Sequence, residues 1–147
     1  MEENLLYKIY NKAEARMLNP LQLALVGDAV YEVFIRNYIL SKNTELSAHK
    51  IHVKAIGYVK AKAQSDIIVS LEKDLTEEEI AIYKRGRNTK SYTVPKNADV
   101  RDYRAATGFE ALVGYLYLIN DKKRLEFVLN KSIEIINNSK EENKEEH

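Results

Sequence analysis

With 147 residues, 45% of them hydrophobic and 31% charged, the chain can bury one core, as a single domain or a domain with a tail. It has no cysteine, which excludes a disulfide framework, a thiol nucleophile and a cysteine-ligated zinc site, and no apolar run approaches the length of a membrane span. The formal net charge of +1 includes the acids of residues 139–147 (SKEENKEEH); without them the body is mildly basic, which admits an anionic partner without demanding one.

The N-terminus carries acids where a secretion signal would carry bases, so a cytoplasmic protein is expected. Residues 3–17 read as an amphipathic helix with Leu6, Ile9, Tyr10, Ala13 and Met17 on one stripe. A second helix, capped by Asn19 and opened by Pro20, should run to about Leu40, its apolar stripe starting at Leu21 and Leu25 and continuing from Ala29 to Ile35. In the middle of that run stand Gly27 and Asp28. A mid-helix glycine costs about 1 kcal/mol relative to alanine. A carboxylate among apolar neighbours must find a cation, a donor or water. Two unfavourable choices side by side mark a candidate site.

After a polar break at residues 41–44, a third helix is expected over residues 45–71. Leu46, Val53, Ile56, Ala63 and Ile67 form its buried stripe, with Lys50, Lys54, Lys60 and Lys62 outside it. Each lysine taken singly reads as part of a solvated face; their bunching favours phosphate contact. His49 and His52 read as surface or core-edge residues. Thr76 and Glu79 form a capping box, and the helix they open should end near Lys84 and Arg85, with Gly86 as a left-handed cap. The basic segment 85–90 (RGRNTK) then begins a loop that continues to about Ala98, long enough to suggest function. Asp99 caps a helix reaching about Ile119, nearly apolar all round in its second half and so central to the core or to a subunit contact. A last helix over residues 122–137 turns Leu125, Val128, Leu129 and Ile133 inward, and residues 138–147 read as a flexible charged tail. With two prolines, five glycines and helical periods throughout, the expected fold is all-α, one domain over residues 1–137.

Asp28 and Glu110 share one description: an acid within an apolar helix, flanked by small residues that let helices approach closely. Two buried carboxylates share a pocket only if one is protonated or a cation joins them. Mg²⁺ favours one or two carboxylates completed by water and substrate phosphates. Spacing alone does not decide between such a site and the pairing of each acid with a neighbouring lysine or arginine.

Residues 23–32 (LALVGDAVYE) resemble a diverged form of the ribonuclease III signature, in which an acid follows Leu-Gly, and residues 107–118 (TGFEALVGYLYL) resemble that family's second acidic motif. With RGRN at 85–88 and YRAA at 103–106, the similarity spans roughly residues 14–130 and is nearest to the short form that lacks a double-stranded-RNA-binding domain. The resemblance implies a helical, homodimeric endonuclease domain in which Asp28 and Glu110 are the catalytic, Mg²⁺-binding acids. It implies hydrolysis of double-stranded RNA by in-line attack of water, leaving 5′-phosphate and 3′-hydroxyl ends. The maturation of the 23S ribosomal RNA precursor is the implied role, and whether a ribosomal protein presents that substrate stays open. Two acids of the longer relatives are missing: the position one turn before Asp28 is Ala24, and that three residues before Glu110 is Thr107. Both departures suit the short form and leave fewer protein ligands for the metal. Glu32, one turn after Asp28, reads as solvated or ion-paired.

For the RNA, Arg85, Arg87, Asn88 and Lys90 are the first candidates, Arg101 and Arg104 the second, and Lys54 the third, each weighed against an ordinary surface charge. Apolar surface around Val26, Val30, Phe34 and Tyr115 is the candidate two-fold interface. An RNA-binding module that keeps this fold without cleavage is the alternative that Ala24 and Thr107 support; a helical protein-interaction domain explains neither the acids nor the basic segment.

Overall fold

Side-chain acceptors start most of the helices, taking up N–H groups that the first turn leaves free. A computed structural model describes residues 7–90 and 94–145. Its helices are α1 (Lys12–Met17), α2 (Pro20–Lys42), α3 (Ala48–Val59), α4 (Ala61–Leu71), α5 (Glu77–Asn88), α6 (Val100–Leu118) and α7 (Lys122–Glu145), with a 3₁₀ turn, Glu72–Asp74, after α4. Among the described residues there is no strand, and the all-α expectation holds. Asn19 and Gln22 make a reciprocal capping box on α2, Thr76 and Glu79 another on α5, and Asp99 accepts from Arg101 and Asp102 at the start of α6. At its other end α6 is stopped by Asn120 in the left-handed region (φ 58°), with the Asp121 N–H returning to the Leu116 carbonyl.

Helix α6 is the axis of the core and packs on α2, α4, α5 and α7. Phe109, Leu112, Val113, Tyr115 and Leu116 on it are buried, and Phe109 meets Tyr31 of α2 edge to face, ring centres 5.2 Å apart. A partly buried ion pair ties α5 to α7: both carboxylate oxygens of the buried Glu79 accept from Arg124, at 2.7 and 2.8 Å. Arg124 also donates to the Asp74 carbonyl, so the pair is satisfied beyond its own charges.

Several expectations are corrected. The first helix starts at Lys12, where Asn11 and Glu14 form a capping box, and it buries Ala15 while Ile9, Ala13 and Met17 are exposed. Residues 3–6, including Leu6, lie outside the described residues, as do 91–93 of the expected loop. The helix expected over 45–71 is two helices that break at Lys60, whose ψ of 154° is extended. No proline or glycine marks that break; the Gln64 side chain stabilises it by donating to the freed Val59 carbonyl at 2.7 Å. The break also changes the buried face: Ala55 and Tyr58 point inward, and Val53 and Ile56 are exposed. In α2 the buried line is Leu23, Gly27, Tyr31, Ile35 and Ile39, one step every four residues, which leaves Leu25 on the outside. Helix α5 includes the whole RGRN segment, and α7 continues to Glu145, eight residues past the expected end. Tyr115 cannot line a two-fold interface, because it is buried and donates to Glu78 on α5.

Candidate active site

Gly27 and Gly114 let α2 and α6 cross with their backbones in contact. A Cβ built on Gly27 would fall 1.7 Å from the Glu110 carbonyl oxygen and 2.7 Å from the Gly114 nitrogen; one on Gly114 would fall 2.0 Å from the Leu23 carbonyl oxygen. Any side chain at either position would force the helices apart. Asp28 follows Gly27 directly, so the crossing that needs the glycine brings Asp28 beside Glu110.

The two carboxyls lie within hydrogen-bonding reach of each other. The pair expected to be buried is only partly so: Asp28 is exposed and Glu110 is half-buried. Burial pushes the Glu110 carboxyl up to about 9, and the hydrogen bond and negative charge of Asp28, with a smaller repulsion from Glu32, act in the same direction. Glu32 itself pairs with Arg36 at 3.1 Å, one turn along α2. Without a cation, Glu110 keeps its proton at neutral pH.

All the donors here are oxygen, and two carboxylates that repel each other across a partly open crossing suit a hard divalent cation. Among the described residues no group of three or more histidine, cysteine, aspartate or glutamate side chains gathers as a metal cluster. A cation held at this crossing would draw two carboxylates from the protein. Ala24 is buried one turn before Asp28, and the Thr107 hydroxyl donates to the Tyr103 carbonyl within α6.

The basic residues divide by what they touch. A second glycine pair, Gly86 and Gly108, brings α5 against α6: a Cβ on Gly86 would lie 2.9 Å from the Gly108 Cα and 2.8 Å from the Ala111 Cβ. Gly86 is thus a helix-packing residue and not a cap, and it sets the last turn of α5 beside the turn of α6 that carries Glu110. Arg87 stacks near the Tyr83 ring, 5.5 Å from its centre, and its Nε donates to Asn88 Oδ1. Arg85 donates to the Arg16 carbonyl at 2.8 Å, which fastens the end of α1. Lys90, Arg101, Arg104 and Lys54 are exposed, Lys54 on α3, apart from the α5–α6 contact. Gln64 of α4 was not among the expected site residues, yet its carboxamide is buried against Glu110. A glutamine between Ala63 and Ile67 on an otherwise apolar stripe is the signal that could have found it.

On a flank of α2, Leu25 and Val33 are 76% and 67% exposed. Beside Val33 a recess of about 370 Å³ opens between α2 and α7, lined by Ala29, Val30, Phe34, Leu125 and Leu129.

The helical core built on a central α6 thus sets an aspartate beside a glutamate where α2 crosses it. The family model for the ribonuclease III domain matches residues 21–121, and the chain belongs to that family as an endoribonuclease. It is 49% identical to Mini-ribonuclease 3 of Clostridium tetani over the whole chain and 97% of that protein. It is 48% identical to Mini-ribonuclease 3 of Enterococcus faecalis over 86% of the chain and 96% of that protein. A crystal structure of a protein from Fusobacterium nucleatum superposes with a TM-score of 0.73 at 31% identity, covering 85% of this chain and 98% of that one. Among the described residues no helix is long and apolar enough to cross a membrane.

Proposed function

We propose that this endoribonuclease cleaves double-stranded RNA with Mg²⁺ as a homodimer, and that its target is the 23S ribosomal RNA precursor. The observation that carries the reading is the Asp28–Glu110 pair, two carboxyls brought together where α2 crosses α6 on Gly27 and Gly114. Asp28 and Glu110 would hold the ion. When bound, Mg²⁺ supplies positive charge against the charge that develops on the phosphodiester and makes water a stronger nucleophile at neutral pH. Around it, the residues of this chain bind and align: Arg87, Asn88 and Lys90, next to the α6 turn of Glu110, take phosphates of one strand. Arg101 and Arg104 on the first turns of α6 extend that contact, with Arg85 and Lys54 at its margins. The departing group is the ribose 3′-oxygen, so the products carry 5′-phosphate and 3′-hydroxyl ends.

Each chain contributes one such pair, and cutting both strands of a duplex takes two. The exposed Leu25 and Val33 and the adjoining recess support a self-complementary contact along α2. Affinity in this reading rests on phosphate contacts and should fall steeply with salt.

The test is to incubate a protein-free duplex from the 23S precursor with the enzyme in Mg²⁺ and in EDTA. Cutting in Mg²⁺ alone, abolished in folded D28N and E110Q, is the expected result. Cutting that survives in either variant would remove the catalytic assignment. Tight binding without cutting would favour a non-catalytic RNA-binding role, and cutting of an unrelated duplex at equal rate would remove the 23S target.

A further inference from the structure

Among the described residues three polar side chains are buried: Gln64, Glu79 and Ser132. Glu79 is paired with Arg124, and Ser132 donates to the Val128 carbonyl. Gln64 is different. It is 3% exposed, and its Oε1 is buried with no hydrogen-bond partner.

The orientation of the carboxamide follows from its neighbours. Nε2 donates to the Val59 carbonyl at 2.7 Å, where α3 ends. Turning the amide over would set Oε1 against that carbonyl, acceptor against acceptor, so the N–H side must face it. Nε2 carries a second hydrogen, and the side chain is close enough to the Glu110 carboxyl to favour its charged form. One N–H therefore serves the Val59 carbonyl and the other is left for Glu110, while the oxygen is unpaired, an unfavourable outcome that leucine or methionine would avoid in the same space. What offsets it is the link itself: a donor anchored at the α3–α4 break and directed at a candidate metal ligand. The donor is also neutral. A lysine or arginine there would pair with Glu110 and compete with a divalent cation, whereas an amide orients the carboxylate and leaves its charge free for the ion.

We infer that Gln64 is a positioning residue for the cation site, holding the Glu110 carboxylate in the orientation in which it shares an ion with Asp28. This rests on the reading of Asp28 and Glu110 as the ligands. Partners that orient a metal ligand from behind are worth about 10- to 100-fold in metal affinity.

The experiment is Mn²⁺ binding to the full chain, followed by the electron paramagnetic resonance of the free ion, for wild type, Q64M, Q64L, D28N and E110Q. Q64M and Q64L should bind Mn²⁺ at least about 10-fold more weakly. Their cleavage should need correspondingly more Mg²⁺ for half-maximal rate and recover at saturation. A role in the α3–α4 break alone would lower the melting midpoint in EDTA and leave the dissociation constant of the folded protein unchanged; that result overturns the inference. Should neither variant fold, the wild type decides through the side-chain amide resonances of Gln64. They should move on Mg²⁺ addition in wild type and stay fixed in E110Q; resonances that ignore saturating Mg²⁺ overturn the inference as well. Wild-type protein that binds no Mn²⁺ would remove the two-carboxylate site and this inference together, whereas equal binding by wild type and the Gln64 variants removes the inference alone.

Discussion

Replacing Gly27 by alanine tests the geometry on which the whole site depends. In an ordinary helix interior the change stabilises by about 1 kcal/mol, because alanine loses less backbone freedom on folding. Here the new Cβ would lie 1.7 Å from the Glu110 carbonyl oxygen and 2.7 Å from the Gly114 nitrogen, and both obstacles are backbone. Separations below 3.0 Å are essentially never seen for real Cβ atoms, so α2 and α6 must part by about 1.3 Å at this point. That loosens the packing of Leu23, Tyr31 and Phe109, and overpacking of this kind costs about 1–3 kcal/mol or more. The net effect should be a loss of about 2 kcal/mol, roughly 4–8 °C in melting midpoint for a chain of this size. Gly57 supplies the control. A Cβ there meets only the flexible end of Lys140, at 3.4 Å, so G57A should be neutral or stabilising by up to about 1 kcal/mol. Thermal melts of wild type, G27A and G57A in EDTA measure both effects, and cleavage rates below the melting range show whether G27A also displaces Asp28 from Glu110. A G27A protein that melts at or above wild type and cleaves at the same rate would refute the backbone crossing.

Glu110 gives a pH prediction. Its folded-state value is raised from 4.5 to about 9, so between those limits the folded chain keeps a proton that the unfolded chain has lost. Metal-free stability should therefore fall as pH rises through that window, by up to about 1.4 kcal/mol per unit and by less where water screens the carboxyl. E110Q should lack that component; equal slopes for the two proteins in denaturant titrations from pH 5 to 9 would show Glu110 ionised in the fold. For Arg87, R87A should weaken duplex-RNA binding and lower the slope of log affinity against log salt by about 1, and an unchanged slope in filter binding would remove it as a phosphate contact. A charge in the exposed apolar flank of α2, V33D, should give a monomer by sedimentation and reduce double-strand cutting. A V33D protein that sediments like wild type would place the two-fold contact elsewhere.

The separate lines of the molecule were legible to different degrees in the residues alone. Capping side chains and helical period located α2, α5 and α6 because those signals act within one turn of the backbone: Asn19 before Pro20, Thr76 with Glu79, Asp99 before Val100. The same local oddity that singled out Gly27 and Asp28, and the matching surroundings of Glu110, identified the helices that meet. Tertiary structure alone decided what those helices do to each other. The break at Lys60 carries no proline or glycine and is supported by the Gln64 side chain, so nothing in a helical-period reading separates α3 from α4. Gly86 has the sequence position of a C-cap but is held in the helix by contact with Gly108, and Tyr115 sits on a helix apolar on all sides, where period says nothing about direction. Capping and propensity are short-range, and they determine where a helix begins. Which face is buried, how close two backbones come and whether a carboxyl keeps its proton depend on atoms dozens of residues away in the chain, and those only packing brings together.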